Sequence, residues 1–202
     1  MQRTLLIVIT ALAAIFILLL LLYPSLFLRE EMDEVQDQTE NGGETLPAGW
    51  ERYQHDEHDF SVAHPKEVVV TAEGESHVRF SFAGPEDEEG TEITDGFTFT
   101  VGVHNAQADA TLFSFARAQL DERLEVAEEV RPLATTTFEG EVAYTFTAKG
   151  LGEVTTYVFL HTGNRFLTAS YNIADPNDAG YQEVVNEMLR SLERLPADVS
   201  KG

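Results

Sequence analysis

Apolar and polar positions divide this chain into one continuous apolar run and a longer region of alternating patterns. Every residue from Leu5 to Leu22 is apolar except Thr10. An α-helix of this length rises about 27 Å, which matches the hydrocarbon thickness of a bilayer. A helix at the surface of a soluble domain needs one apolar stripe rather than an apolar surface all round. The run therefore predicts a membrane-spanning helix over residues 5–22.

Three interpretations of this run compete: a cleaved signal peptide, a lipoprotein signal and an uncleaved anchor. A signal peptide has a shorter apolar core and a small-x-small cleavage site, whereas residues 23–28 read YPSLFL. A lipoprotein needs a cysteine to acylate, and the chain has none. We therefore expect an uncleaved single-pass anchor in the cell membrane. Because a short basic N-terminus before an early span usually stays in the cytoplasm, we expect the C-terminal part outside the cytoplasm.

Changes in composition divide the chain into four segments. Residues 1–28 hold the N-terminal tail and the anchor. Residues 29–47 are rich in acids and lack apolar periodicity, which is typical of a flexible, self-repelling linker. Residues 48–197 are numerous enough to form one domain with a proper core. Residues 198–202 then form a short C-terminal tail.

Alternation of apolar and polar residues predicts β-strands within the domain. The residues from Val78 to Phe82 and from Phe97 to Val103 place their apolar side chains on one face of a strand. The acidic residues 85–96 between them predict a long hairpin loop. Further strands are predicted at residues 142–147, 154–160 and 166–171.

Two helices interrupt these strands. Apolar spacing predicts the first helix over Leu112–Leu124, with Asp109 or Thr111 as its cap. The second helix is predicted to be capped by Asp175 and to continue its apolar stripe to Leu195. Strands in meander runs with two packed helices indicate an α+β fold. The predicted architecture is a central antiparallel sheet flanked by two main helices and preceded by one transmembrane helix.

The charge of the chain restricts the partners that it can bind. Its formal net charge is −22, and such a surface repels phosphate backbones, so we expect no binding of nucleic acid. Two explanations of the acidity are open: adaptation to high salt, and binding of cations or of a basic partner. We favour adaptation to high salt because the acids are spread along the chain. Without cysteine there is neither a disulfide framework nor a thiolate zinc site.

Several local phrases recur along the folded part of the chain together with the predicted order of elements. They are Tyr53, FSVAHPK (60–66), EGEVAY (139–144), GNRFL (163–167), YQEVV (181–185) and MLRSL (188–192). These phrases and the order of elements resemble the PsbP-like superfamily, which includes PsbP and DcrB-like proteins, over roughly residues 50–195. The resemblance implies a central antiparallel sheet with helices on its faces and a binding or accessory role without a catalytic site.

Two groups of residues deserve consideration as metal sites. His55 and His58 lie three residues apart with carboxylates between them and could hold zinc or copper on one helical face. A strand or turn would place them on opposite faces, so a polar hairpin tip is favoured. The acids Asp87, Glu88, Glu89, Glu92 and Asp95 lack the spacing of an EF-hand loop, so a solvated loop is favoured over a calcium site. No Gly-x-Ser-x-Gly sequence supports a hydrolase. We therefore assign no catalytic, cofactor-binding or metal-binding residue.

These observations favour a membrane-anchored, extracytoplasmic accessory domain without catalytic activity. Such a domain would stabilise or dock to another component of the envelope or of a membrane complex. The alternatives are a periplasmic or surface protein that binds a metal or small ligand, and a hydrolase. We expect no cofactor, and we expect a protein partner in addition to the membrane that residues 5–22 enter.

Overall fold

The fold is seen in a computed structural model that describes residues 46–87, 92–161 and 164–195. The predicted span at residues 5–22, most of the predicted linker and the C-terminal tail lie outside these residues. No helix within the described residues has the length and apolar character that a bilayer crossing requires.

The strands are Trp50–His55 (β1), Phe60–Pro65 (β2), Val69–Glu73 (β3), His77–Ala83 (β4), Gly96–Asn105 (β5), Glu128–Phe138 (β6), Glu141–Lys149 (β7), Glu153–His161 (β8), Arg165–Ala174 (β9) and Glu193–Arg194 (β10). The helices are Leu112–Leu124 (α1) and Tyr181–Arg190 (α2).

The strands form two sheets. Seven of them make an antiparallel sheet in the order β3-β4-β5-β9-β8-β7-β6. A smaller sheet has the order β1-β2-β10 and was not expected from the sequence. The part of the chain that the structure describes is therefore α+β with a large antiparallel sheet and two helices, as predicted. The predicted alternations at residues 78–82, 97–103, 142–147, 154–160 and 166–171 lie within β4, β5, β7, β8 and β9.

One face of the large sheet carries the main core. Phe80 on β4 lies opposite Phe99 on β5, and both side chains are fully buried. Helix α2 and the small sheet cover this face, with Phe60, Val185 and Met188 packing into the same core. Each fully buried side chain of this size contributes about 1.5–3 kcal/mol through removal of apolar area from water. This face therefore holds the two sheets together.

The opposite face is covered only in part. Helix α1 packs over β6, β7 and β8, where Ala116 and Leu120 meet Phe146 and Val158. The beginning of α1 follows the prediction, because Thr111 is its N-cap and exchanges capping hydrogen bonds with Ser114. Because α1 packs mainly over β6, β7 and β8, neither described helix covers most of the part of this face that β4, β5 and β9 form.

The second helix begins later than predicted. Asp175 is not its N-cap. Gly180 is, with a left-handed φ of 86° that glycine adopts without steric cost. The Asp175 carboxylate instead accepts the N–H groups of Ala179, Gly180 and Tyr181 at 2.6–3.1 Å. Asp175 therefore stabilises the turn that leads into the helix.

The second helix also ends earlier than predicted. It stops at Arg190, and Glu193–Arg194 pair with β2 as an additional strand. Leu192 is fully buried although it lies outside the helix. The N–H of Leu195 donates to the carbonyl of Asp59 at 2.8 Å. Leu192 therefore continues the apolar stripe into the core, while the backbone of the residues that follow it pairs with the small sheet.

Strand β6 was missed because its sequence does not alternate. Its residues are mostly exposed, and its pairing with β7 shifts register between Glu129 and Arg131 and again between Arg131 and Ala134. Pro132 lies between these positions and has no N–H to donate. Such irregularities are typical of a strand at the edge of a sheet.

Candidate ligand-binding cleft

The uncovered part of the sheet carries a grid of polar side chains. Three adjacent strands, β4, β5 and β9, align Arg79 with Thr100 and Ser170, and they align Thr98 with Asn172. These side chains share the face on which α1 packs, because each alternates with a residue of the main core. The same strands that bury phenylalanine on one face therefore present hydroxyl, amide and guanidinium groups on the other.

A concave cleft lies between this grid and helix α1. It consists of a cavity of about 320 Å³ and an adjoining cavity of about 430 Å³. We call the two together the polar cleft. Its floor is the grid on β5 and β9, and one wall is α1. The linings of the two cavities share five residues, which are Arg79, Thr98, Arg123, Val154 and Asn172.

A histidine pair closes one end of the polar cleft. The rings of His77 and His104 lie 5.2 Å apart between centroids, at an angle of 82°. The His77 ring is accommodated by Gly102, where a Cβ would lie 2.6 Å from that ring and 2.9 Å from Thr168 Oγ1. Burial, and secondarily the proximity of His77, lowers the pKa of His104 to about 4. At neutral pH His104 is therefore uncharged.

His104 also contacts a hydroxyl group on β9. Its Nε2 lies 3.0 Å from Thr168 Oγ1, and this hydroxyl oxygen lies 3.4 Å from the carbonyl oxygen of Gly102. A neutral imidazole and a hydroxyl group can each donate and accept hydrogen bonds. The pair of His104 and Thr168 therefore adds hydrogen-bonding groups to this end of the polar cleft.

The two arginines of the polar cleft differ in their partners. Arg79 Nη2 forms an ion pair with Glu73 Oε1 at 2.8 Å. Arg123, in the last turn of α1, is exposed and forms no ion pair among the residues that the structure describes. Lys66, Arg131 and Lys149 also form no ion pair among the described residues, but they do not line the polar cleft. Arg123 therefore remains available to a ligand.

The other end of the polar cleft is apolar. Val126 is 81% exposed and Leu151 is 75% exposed, and both line the larger cavity. Asn172 lies above Gly152, where a Cβ would approach its Nδ2 to 2.1 Å. A ligand in the cleft would therefore meet apolar side chains at one end and hydrogen-bonding groups along the floor.

The predicted separation of His55 and His58 is wrong. Because a tight turn follows β1, their ring centroids lie 4.6 Å apart instead of on opposite faces. A ring nitrogen of His58 contacts the carbonyl of Glu75, and the backbone carbonyl of His58 accepts from His161. In residues 46–87, 92–161 and 164–195, no three side chains of the metal-binding types converge as a metal site would require.

The acidic loop uses two of its carboxylates for its own structure. Asp87 accepts the N–H and the hydroxyl of Thr94 at 2.9 and 3.0 Å. Asp95 is 1% exposed and accepts the N–H of Glu86 at 2.9 Å. Glu92 lies at the polar cleft, whereas Glu88 and Glu89 are outside the described residues. Two of the five acids considered for calcium are thus bound to the loop itself.

Comparison with known proteins identifies the fold. The solution structure of cyanobacterial PsbP (CyanoP) from Synechocystis matches 77% of this chain and 97% of its own chain, with 15% identity and a TM-score of 0.50. The domain has a PsbP-like fold. The resemblance predicted from local phrases is thereby confirmed at the level of the fold.

Two other structures are similar at lower TM-scores. A Pseudomonas aeruginosa protein of unknown function, described as a putative regulator, shares 14% identity over 73% of this chain and 98% of its own, with a TM-score of 0.45. A Bacteroides thetaiotaomicron protein shares 18% identity over 72% of this chain and 48% of its own, with a TM-score of 0.38. No protein-family model and no curated protein sequence matches this chain.

Apart from Glu92, none of the residues of the polar cleft was considered as a site residue from the sequence. Arg79, Thr98 and Thr100 lie on the polar side of alternating strands, where solvated residues are the ordinary expectation. Arg123 lies in the last turn of a helix, where a cation is favoured by the helix dipole. The one available signal was the scarcity of cations in an acidic chain, which makes each arginine more informative.

Proposed function

We propose that this chain is a membrane-anchored accessory protein whose PsbP-like domain binds another component of the cell envelope through the polar cleft. The observation that carries the proposal is the uncovered polar half of one sheet face. A sheet face left open beside a packed helix forms a concave surface, which is where binding sites occur in proteins. The domain acts as a binding module, and it carries out no reaction of its own.

The membrane attachment in this proposal comes from the sequence. Residues 5–22 provide the apolar length for one crossing, and the domain lies outside the cytoplasm. In this proposal, residues 29–47 tether the domain to the bilayer. Tethering raises the effective concentration of the domain for neighbours in the same membrane. That is the physical advantage of anchoring a binding module.

The proposal is tested by photocrosslinking in membranes washed with alkaline carbonate. A photoreactive amino acid replaces Gln119, which lines the polar cleft, or Gln182, which is exposed on α2 at the other face of the sheet. The chain is expected in the carbonate-resistant fraction, with one discrete heavier adduct from position 119. The Gln182 replacement is the matched control and should give no such adduct.

Two results would contradict the proposal. Release of the full-length chain by carbonate would refute the anchor. Absence of an adduct at position 119, or equal adducts at positions 119 and 182, would refute binding through the cleft.

A further inference from the structure

We infer that the polar cleft accepts a carboxylate next to an apolar group, with Arg123 as the principal contact of the carboxylate. This inference rests on the proposed function, since it names the chemistry of the ligand at the same cleft. Free apolar acids and the C-terminal residue of a peptide share this chemistry. The argument depends on three features of the cleft: an unpaired guanidinium, an apolar end and a floor of hydrogen-bonding groups.

The guanidinium of Arg123 selects for a carboxylate. Arginine presents planar N–H donors that match the two oxygens of a carboxylate and form charge-assisted hydrogen bonds. In the described part of the chain, Arg52, Arg79, Arg117, Arg165, Arg190 and Arg194 each hold a protein carboxylate. Arg123 lines both cavities without such a partner. A ligand carboxylate would supply the ion-pair partner that the described residues do not provide for Arg123.

The apolar end of the polar cleft selects for what lies next to the carboxylate. Val126 and Leu151 are mostly exposed and line the same cavity as Arg123. Val154, on the floor, lies in the same cavity. An apolar group of the ligand placed here would remove these side chains from water, which is favourable in proportion to the area buried. The same contact is not available to a small inorganic anion.

The floor and the opposing charges set the orientation of the ligand. Thr98 and Asn172 line both cavities and carry hydroxyl and amide groups that donate hydrogen bonds to oxygen. Among the described residues, two carboxylates line the cleft, and Glu73 is held by Arg79 at 2.8 Å. Glu92 is exposed, so water and salt screen its repulsion. His104 is uncharged at neutral pH and adds no competing charge. These groups leave Arg123 as the strongest attraction for an anion.

The test uses the full chain in nanodiscs and ligand-observed saturation-transfer NMR. The probe is N-acetyl-leucine, and its neutral amide, N-acetyl-leucinamide, is the matched ligand. A hydrogen bond to a charged group contributes roughly tenfold or more in affinity. We expect the acid to bind at least about tenfold more tightly than the amide. We expect R123Q to abolish that preference, because the substitution removes the guanidinium.

Three further arms make the test specific. R117Q is the matched control, because Arg117 lies on the same helix but is exposed and paired with Asp121. It should bind the acid as the wild type does. L151S should weaken N-acetyl-leucine while leaving the weaker binding of N-acetylglycine unchanged. A short peptide ending in leucine tests the source of the ligand, since tighter binding than N-acetyl-leucine identifies a peptide C-terminus, and equal binding a free acid.

Equal binding of acid and amide, wild-type affinity in R123Q, or no binding of the acid at millimolar concentration would overturn the inference. Empty nanodiscs must give no signal. If the acid fails to bind while the adduct at position 119 still forms, the ligand class is wrong and the proposed function stands. If neither is observed, both fail.

Discussion

The two faces of the large sheet are built from the same strands and have opposite properties. On β5, Phe99 is fully buried in the main core, whereas the preceding Thr98 contributes to the floor of the polar cleft. On β4, Phe80 faces the core and Arg79 faces the cleft. Helix α2 and the small sheet bury one face, whereas the other face is partly exposed to solvent beside α1. Because side chains alternate between the two faces of a strand, a core residue and a cleft residue lie at neighbouring positions of the same strand.

The largest expected effect compares neighbouring residues on the two faces. Phe99→Ala should lower the free energy of unfolding by about 3–5 kcal/mol, because it leaves a cavity in a closely packed core. Thr98→Val, on the cleft side, should change it by about 0.5 kcal/mol or less. Denaturant titration of the full chain measures both, with the fluorescence of Trp50, the single tryptophan, as the signal. Similar losses in both variants would contradict the division of roles.

A second prediction concerns pH and the histidine at the cleft. The pKa of His104 is about 4 in the folded protein and 6.5 ordinarily, so the unfolded chain takes up a proton first as pH falls. The stability contributed by neutral His104 is therefore complete above about pH 6.5 and is lost as pH falls towards 4. His104→Gln removes this titration and keeps a side chain that can hydrogen-bond to Thr168. Between pH 7 and pH 4.5 the wild type should lose about 1–2 kcal/mol more than the variant, after allowance for solvent screening.

This pH comparison is internally controlled. The carboxylates and the histidines away from the cleft, including His55 and His161 whose pKa values burial also lowers, are present in both proteins and cancel in the difference. Parallel stability profiles of the wild type and His104→Gln would show that the cleft does not hold the imidazole neutral.

The smallest expected effect tests how closely the His77 ring packs against Gly102 at the floor of the cleft. Gly102→Ala places a Cβ 2.6 Å from the His77 ring, so the ring must move, at a cost of about 1 kcal/mol. Gly150→Ala is the matched control, because its nearest contact is 3.4 Å from a carbonyl oxygen. Denaturant titration should show no more than about 0.5 kcal/mol for that control. In a His77→Ala background the cost of Gly102→Ala should fall, because only the approach to Thr168 Oγ1 at 2.9 Å remains, and an unchanged cost would argue against the contact with His77.

The sequence allowed prediction of those elements whose pattern is local. Val78 to Phe82 and the Thr111 cap were predictable because alternation and capping depend on neighbours in the chain. Strand β6 was not, since its exposed residues gain their place only by pairing with β7. The small sheet was missed for a similar reason, because Glu193–Arg194 become a strand through contact with β2.

The polar cleft was not predictable because its residues are distant in sequence. Arg79 and Arg123 come from β4 and α1, and only the packing of that helix over β6–β8 brings both to one cavity. The proximity of His55 and His58 was missed because a turn, unlike a strand, brings residues three apart to the same side. Spacing alone therefore decides little where the backbone changes direction.

The irregular edge formed by β6 has a consequence for molecules held at high density. Pro132 withholds an N–H, and the two register shifts bend the strand, so the edge is a poor template for a strand from another molecule. The opposite edge, β3, offers only five residues. Copies crowded side by side should therefore remain individually folded instead of joining into continuous β-structure.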